Sequence, residues 1–169
     1  IPEGVINIGS NAFSDCINAQ EIVLPDSLKT IGNAAFSMCG SISEVNLNSQ
    51  ISEIGESAFS GCESLKEIKW PISTTVIKNR MFKGCENLVK IELPESITTI
   101  EDEAFRSCGF TEINLPNTLE KIGDLAFYKC KSLTEISISK NVRNIGMLTF
   151  LNCDNLQEIK VDLENETYL

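Results

Sequence analysis

Phe13, Phe36, Phe59, Phe82, Phe105, Phe127 and Phe150 follow one another at intervals of 23, 23, 23, 23, 22 and 23 residues, and each has a cysteine three positions later. Those cysteines, Cys16, Cys39, Cys62, Cys85, Cys108, Cys130 and Cys153, are all that the sequence contains. An isoleucine stands five residues before every one of these phenylalanines, from Ile8 to Ile145, and alanine directly precedes most of them (Ala12, Ala35, Ala58, Ala104, Ala126). Such a period means one structural unit repeated along an axis, because a unit this short cannot bury enough apolar surface alone to offset the entropy of ordering its backbone. Neighbouring units must share strand hydrogen bonds and a continuous core, which predicts a parallel sheet with strands about 4.8 Å apart.

Within a unit the phrases have separate local meanings. After each cysteine comes Leu-x-x-Ile-x-Leu or a close variant, in which Ile68 and Trp70 point one way and Glu67 and Lys69 the other, as in a half-buried strand. Pro25, Pro71, Pro94 and Pro116 close that strand, since proline cannot donate to a continuing ladder. Residues 27–31 alternate again and predict a second short extended piece on another side of the coil. Gly9, Gly32, Gly55, Gly123 and Gly146 then mark a tight corner with positive φ. Ser10, Asn33, Asn79, Asp102 and Asp124 read as helix caps, and the Phe-to-Cys spacing predicts a helix of one or two turns. Asn18, Ser41, Ser64, Asn87, Ser132 and Asn155, two places after the cysteines, are expected to satisfy backbone groups of the adjacent turn.

Residues 24–45 and 115–136 carry Leu-Pro-x-Ser/Thr-Leu-x-x-Ile-Gly-x-x-Ala-Phe-x-x-Cys, a phrase that resembles the BspA-like type of leucine-rich repeat over nearly the whole chain. The expected fold is an α/β repeat solenoid: a right-handed leucine-rich repeat coil with a parallel β-sheet on the concave face and short helices on the convex side. One domain is expected over residues 1–169, with about seven units of 22–23 residues. The chain opens midway through a unit at Ile1-Pro2 and stops soon after its last strand, which suggests a segment of a longer array with uncapped ends open to end-to-end self-association. Coils between residues 70 and 112 depart from the pattern: Lys78 and Glu101 replace the glycine, Met81 the alanine, and one residue is missing after Cys108. The resemblance implies a bacterial or protist surface or secreted protein and an adhesive role toward a host matrix or cell-surface protein. An extracellular or cell-surface location follows from it, with a cytoplasmic location as the alternative.

Lys plus Arg number 14 against 24 Asp plus Glu, a net charge of −10, and a field of that sign repels phosphate backbones and anionic lipid. No apolar run is long enough to insert in a membrane. The sequence has no histidine, which removes the commonest general base and points to a protein that is not an enzyme, with no cofactor and no metal. Cysteines related by translation along a stack run parallel, which is poor disulfide geometry, so free buried thiols are expected.

The candidate partner-binding surface is the outward side of the concave strands. One column comprises Glu21, Glu44, Glu67, Lys90, Glu112, Glu135 and Glu158; beside it run Val23, Asn46, Lys69, Glu92, Asn114, Ser137 and Lys160. Like charges stacked at strand spacing repel, a cost that a purely structural face could avoid. The sequence therefore suggests a protein-interaction or adhesion module gripping a basic or calcium-bridged protein through this face. A structural spacer in a larger surface protein and an intracellular scaffold are the competing readings.

Overall fold

The computed structural model describes residues 1–168; Leu169, the last residue of the expected array, lies outside the described residues. Among the described residues, twelve short strands run in parallel along two sides of a solenoid. On the first side lie β1 (Asn7–Ile8), β2 (Thr30–Ile31) and β4 (Glu53–Ile54), followed by β6 (Val76–Ile77), β8 (Thr99–Ile100), β9 (Lys121–Ile122) and β11 (Asn144–Ile145). On the second lie β3 (Glu44–Val45), β5 (Glu67–Lys69) and β7 (Lys90–Glu92), then β10 (Glu135–Ile138) and β12 (Glu158–Val161). Partners sit at equivalent places in successive coils, as in Ile8 opposite Ile31 and Glu44 opposite Glu67. The isoleucine column is thus one strand row, and Leu-x-x-Ile-x-Leu is the other.

No α- or 3₁₀-helix occurs among the described residues, so the short helices expected on the convex side are absent and the fold is a β-solenoid. The Ala-Phe-x-x-Cys segments form instead a ladder of turns whose amides alternate in direction. Ala12, Ser14 and Cys16 donate three residues back within their own coil, to Gly9, Asn11 and Phe13. Asn11, Phe13 and Asp15 donate across to Asn33, Ala35 and Ser37 of the next coil, at 2.8–2.9 Å. A helix would direct its amides and carbonyls along its own axis, whereas here every second amide points across to the next coil. Left-handed backbone immediately before the segment and at its fourth place prevents a helix: Asn11 and Asp15 lie at φ 57° and 61°, and Ala34 and Met38 at 52° and 60° in the next coil.

Two further expectations change with the helix. The corner glycines are not left-handed; what they provide is room. A Cβ on Gly55 would lie 2.4 Å from the backbone nitrogen of Asn33 in the preceding coil, and one on Gly146 the same distance from that of Asp124. The cap-type side chains do not cap their own segment but reach forward one coil. Asn33 Oδ1 accepts from the Glu56 amide at 3.0 Å, Asn79 from Asp102 at 3.1 Å, Asp102 from Asp124 at 2.9 Å and Asp124 from Met147 at 2.7 Å. In the column after the cysteines the expected bond occurs, among the described residues, at Asn87 alone, whose Nδ2 donates to the carbonyl of Glu63 one coil behind at 2.9 Å.

The core is a continuous stack. The seven repeat phenylalanine rings lie face to face along the axis, with centroids 5.4–5.9 Å apart and planes within 17° of parallel. Offset stacking of this kind suits the aromatic quadrupole and lets each coil cover the ring of its neighbour. All seven cysteines are free; six are buried and Cys16, at the open edge of the first coil, is exposed. Each buried thiol donates to the carbonyl of the phenylalanine in the preceding coil, from Cys39 to Phe13 at 3.0 Å through Cys153 to Phe127 at 3.1 Å.

Both strand rows break within or next to the coils whose sequence departs from the repeat. The first row is interrupted between β4 and β6, the second between β7 and β10. Trp70 fills the place that Leu24, Leu47 and Leu93 hold elsewhere, and the small Thr74 takes the place of Leu28, Ile51 and Ile97. The two buried side-chain atoms without a hydrogen-bond partner among the described residues, Trp70 Nε1 and Ser96 Oγ, also belong to this region. Around the one-residue deletion, Phe110 meets the Phe105 ring edge-on at 5.5 Å and Glu112–Asn114 lie in no strand.

Candidate functional site

Strand alternation places both candidate columns outside. In β5 and β7, Ile68 and Ile91 are buried while Glu67, Lys69, Lys90 and Glu92 face solvent. Glu21, Val23, Glu44, Asn46, Glu112, Asn114, Ser137, Glu158 and Lys160 are likewise exposed, and Glu135 is half-buried. Parallel pairing in register stacks like on like, Glu44 against Glu67 and Glu135 against Glu158, and twice sets opposite charge together, Glu67 against Lys90 and Lys69 against Glu92.

The face is not one uninterrupted surface. Glu21 to Glu92 form one patch, joined at its start by the bridge between Ile22 and Val45; Glu135 to Lys160 form a second. Glu112 and Asn114 stand between them on backbone that pairs with neither β7 nor β10. The first patch holds a shallow open depression of about 260 Å³, bordered by Glu44, Asn46, Glu67, Lys69, Lys90 and Glu92.

Side-chain pairing tempers the negative charge. Lys160 Nζ lies 2.8 Å from Glu135 and 3.5 Å from Glu158, and Lys90 lies 3.4 Å from Glu92 and 3.8 Å from Glu67. The hydrogen bond to Glu135 raises the pKa of the Lys160 ammonium. Asn46 Nδ2 donates to Glu44 at 3.1 Å. Solvent-exposed pairs of this kind contribute little to stability, so they bear mainly on what the surface presents to a partner. Glu21 and Glu112 have no salt bridge among the described residues. What the surface can supply is a regular array of acceptors with a few ammonium groups between them.

A second charged cluster was not singled out from the sequence. On the turn ladder Glu103 is buried, and Arg80 Nε, Lys83 Nζ and Arg106 Nη1 each approach it to 2.8 Å. Burial pushes the Glu103 carboxyl upward, and hydrogen bonds from Lys83, Arg80 and Arg106 outweigh that and bring it down to about 2. Stacking the repeats would have found the cluster, because Arg80 and Glu103 occupy one column and Lys83 and Arg106 another.

Comparison with known proteins agrees with this architecture. The model of the BspA-type leucine-rich repeat region matches residues 1–109 and 60–168, with six copies. A leucine-rich repeat protein of T. pallidum has 30% identity and a TM-score of 0.82 over 92% of this chain and 74% of its own. One from Bacteroides ovatus has 29% identity and a TM-score of 0.72 over 96% of this chain, which spans only 54% of that protein. A leucine-rich cell surface protein of Faecalibacterium prausnitzii shares the fold at 23% identity and a TM-score of 0.51, over 96% of this chain and 59% of its own. No curated protein sequence matches the chain significantly. With the 23-residue register, the parallel strand rows and the family match in agreement, the chain belongs to the BspA-type leucine-rich repeat family.

Proposed function

We propose that this chain is a protein-binding module of a surface or secreted protein, and that it holds its partner through the outward columns of the second strand row. The observation that carries the reading is the row of in-register carboxylates, Glu44 on Glu67 and Glu135 on Glu158, on a strand face that no other part of the chain covers among the described residues. A purely structural face has no need to stack like charges at strand spacing. The description of the Faecalibacterium relative as a cell surface protein supports an extracellular setting. A partner with basic side chains at matching intervals would meet complementary charge in both patches.

The spacer reading is favoured by a different observation: Lys160 and Lys90 already satisfy several of these glutamates from within the molecule. Surface plasmon resonance against immobilised matrix proteins decides between the two. The chain is compared with the variant Glu44→Lys, Glu67→Lys, Glu112→Lys and Glu135→Lys. Binding by the parent that the reversal abolishes supports the module. Binding that survives reversal overturns the proposed face, and no binding by either favours the spacer.

A further inference from the structure

One seam between coils differs from the others on the first strand side. At five seams the amide at the glycine corner donates to the isoleucine carbonyl one coil behind: Gly32 to Ile8, Gly55 to Ile31, Glu101 to Ile77, Gly123 to Ile100 and Gly146 to Ile122, each at 2.8 Å. Between the coils of Phe59 and Phe82 that bond is missing, and no backbone hydrogen bond among the described residues joins residues 52–55 to residues 75–78. The adjoining column parts at the same place. Asp102, Asp124 and Met147 donate their amides to a side chain one coil behind, whereas the Asn79 amide turns forward to Glu101 Oε2 at 2.9 Å. The other two sides of this seam stay shut. On the turn ladder Ser57 donates to Asn79 at 2.9 Å and Gly61 to Lys83 at 2.8 Å, and β5 pairs in register with β7.

Chain length does not hold these strands apart. Ile54 and Ile77 are 23 residues apart, the regular period, so β4 and β6 can meet in register. The break in the second row is of another kind: a residue is missing after Cys108, and Phe110 fills the place by packing on Phe105. Nor does a side chain at the glycine corner forbid the bond at Lys78, because Glu101 makes it from the same column. What is particular to this seam is the core. Trp70 and Thr74 stand where other coils carry leucine or isoleucine, and the Phe59 and Phe82 rings are 5.9 Å apart, against 5.4–5.7 Å at the other steps of the stack. A larger indole beside a smaller threonine weakens the packing that elsewhere draws one coil down on the next.

We propose that the solenoid is jointed at this seam. The first strand side opens and closes between β4 and β6, while the turn ladder and the β5–β7 pair act as the leaf of the hinge. Two side-chain ties cross the open side: Lys78 Nζ meets Glu53 at 3.3 Å, and the Ser73 hydroxyl donates to the Ile51 carbonyl. The ion pair is solvent-exposed and weakened by salt, so it limits the opening without locking it. Movement here tilts the coils that carry Glu44 and Glu67 against those that carry Glu135 and Glu158.

The joint is tested by pulsed electron resonance between nitroxide labels on Lys29→Cys and Arg143→Cys, in a Cys16→Ser background where the remaining thiols are buried. Both positions are exposed on the first strand side, about five coil spacings or 24 Å apart, with the seam between them. We expect a broad distance distribution. The triple variant Trp70→Leu, Thr74→Leu and Lys78→Gly, which returns the coil to the repeat pattern, should narrow it and shorten its mean. In that variant the Thr75 and Lys78 amides should exchange with deuterium at least about tenfold more slowly than in the parent. A parent distribution as narrow as that of the triple variant means a fixed gap and overturns the proposal. A triple variant as broad as the parent places the movement elsewhere and also overturns it. Should the triple variant fail to fold, Glu53→Ala decides, since it cuts the ion pair from the surface: a wider or longer distribution supports the joint, and an unchanged one overturns it.

Discussion

The thiol of Cys85 donates to the carbonyl oxygen of Phe59, one coil behind it, across 3.1 Å. The amide of Cys62 reaches the same carbonyl at 3.3 Å, so one acceptor ties a turn to its own coil and to the next. Cysteine thereby serves both as a small apolar core residue and as a weak donor.

Removing that donor separates the two roles. Cys85→Ala loses buried volume and the thiol contact together and is expected to cost about 1–2 kcal/mol. Cys85→Ser keeps a donor but is smaller and more polar, so it should fall between parent and alanine variant if the hydrogen bond matters. Urea unfolding of the three proteins measures this; a serine variant less stable than the alanine one would mean that packing alone decides the site.

The same burial makes stability depend on alkaline pH. Desolvation pushes the thiols of Cys62 and Cys130 up to about 12 from an ordinary 9.0, and raises those of Cys39, Cys85, Cys108 and Cys153. Above pH 9.0 the unfolded chain releases these protons while the folded one retains them, so the unfolded state binds fewer protons and stability falls as pH rises. For Cys62 and Cys130 the fall continues to about pH 12, at roughly 1.4 kcal/mol per pH unit for each thiol. Below 9.0 these groups contribute no slope. Denaturant unfolding on both sides of that pH, repeated with Cys62→Val and Cys130→Val, should show the alkaline loss shrink in the variants; an unchanged loss would assign it to other groups.

Close approach of coils is tested at the glycines. An added Cβ at Gly55 would meet the Asn33 backbone nitrogen at 2.4 Å, whereas at Gly9, in the first coil, it would meet nothing within 4 Å. Gly55→Ala is expected to cost about 1–3 kcal/mol through overpacking, and Gly9→Ala close to nothing. Thermal unfolding of the pair checks it, and equal losses would locate the requirement in backbone freedom instead.

The strand rows, the phenylalanine stack and the outward columns were legible because each rests on a period: Ile68 and Glu67 alternate, and Phe59 and Phe82 recur one coil apart. The turn ladder was not, because the three-residue spacing from Phe59 to Cys62 is shared by a helical turn and by a chain that turns back without one. The distinguishing signal was present in Asn11, Asp15, Gly61 and Gly84, residue types suited to left-handed backbone at the places where it occurs. The pairing of Lys160 with Glu135 is not legible for another reason, since it depends on where two long side chains settle and no period records that.

Trp70 and Thr74 occupy two successive core columns that other coils fill with leucine or isoleucine, one larger than the usual residue and one smaller. Trp70 is buried, meets Phe82 edge-on at 5.4 Å and leaves its indole nitrogen without a partner, while the Thr74 hydroxyl donates to Pro71 at 3.1 Å. If the small residue makes room for the large one, the two substitutions are coupled. Trp70→Leu alone leaves a void and Thr74→Leu alone overpacks, each costing about 1–3 kcal/mol. The double variant restores the arrangement of the other coils and relieves a buried unpaired donor, so it should lose less than the sum of the two, by about 1 kcal/mol or more. A double-mutant cycle from denaturant unfolding gives that coupling directly. Simple additivity would show that Thr74 is small for a reason unrelated to Trp70.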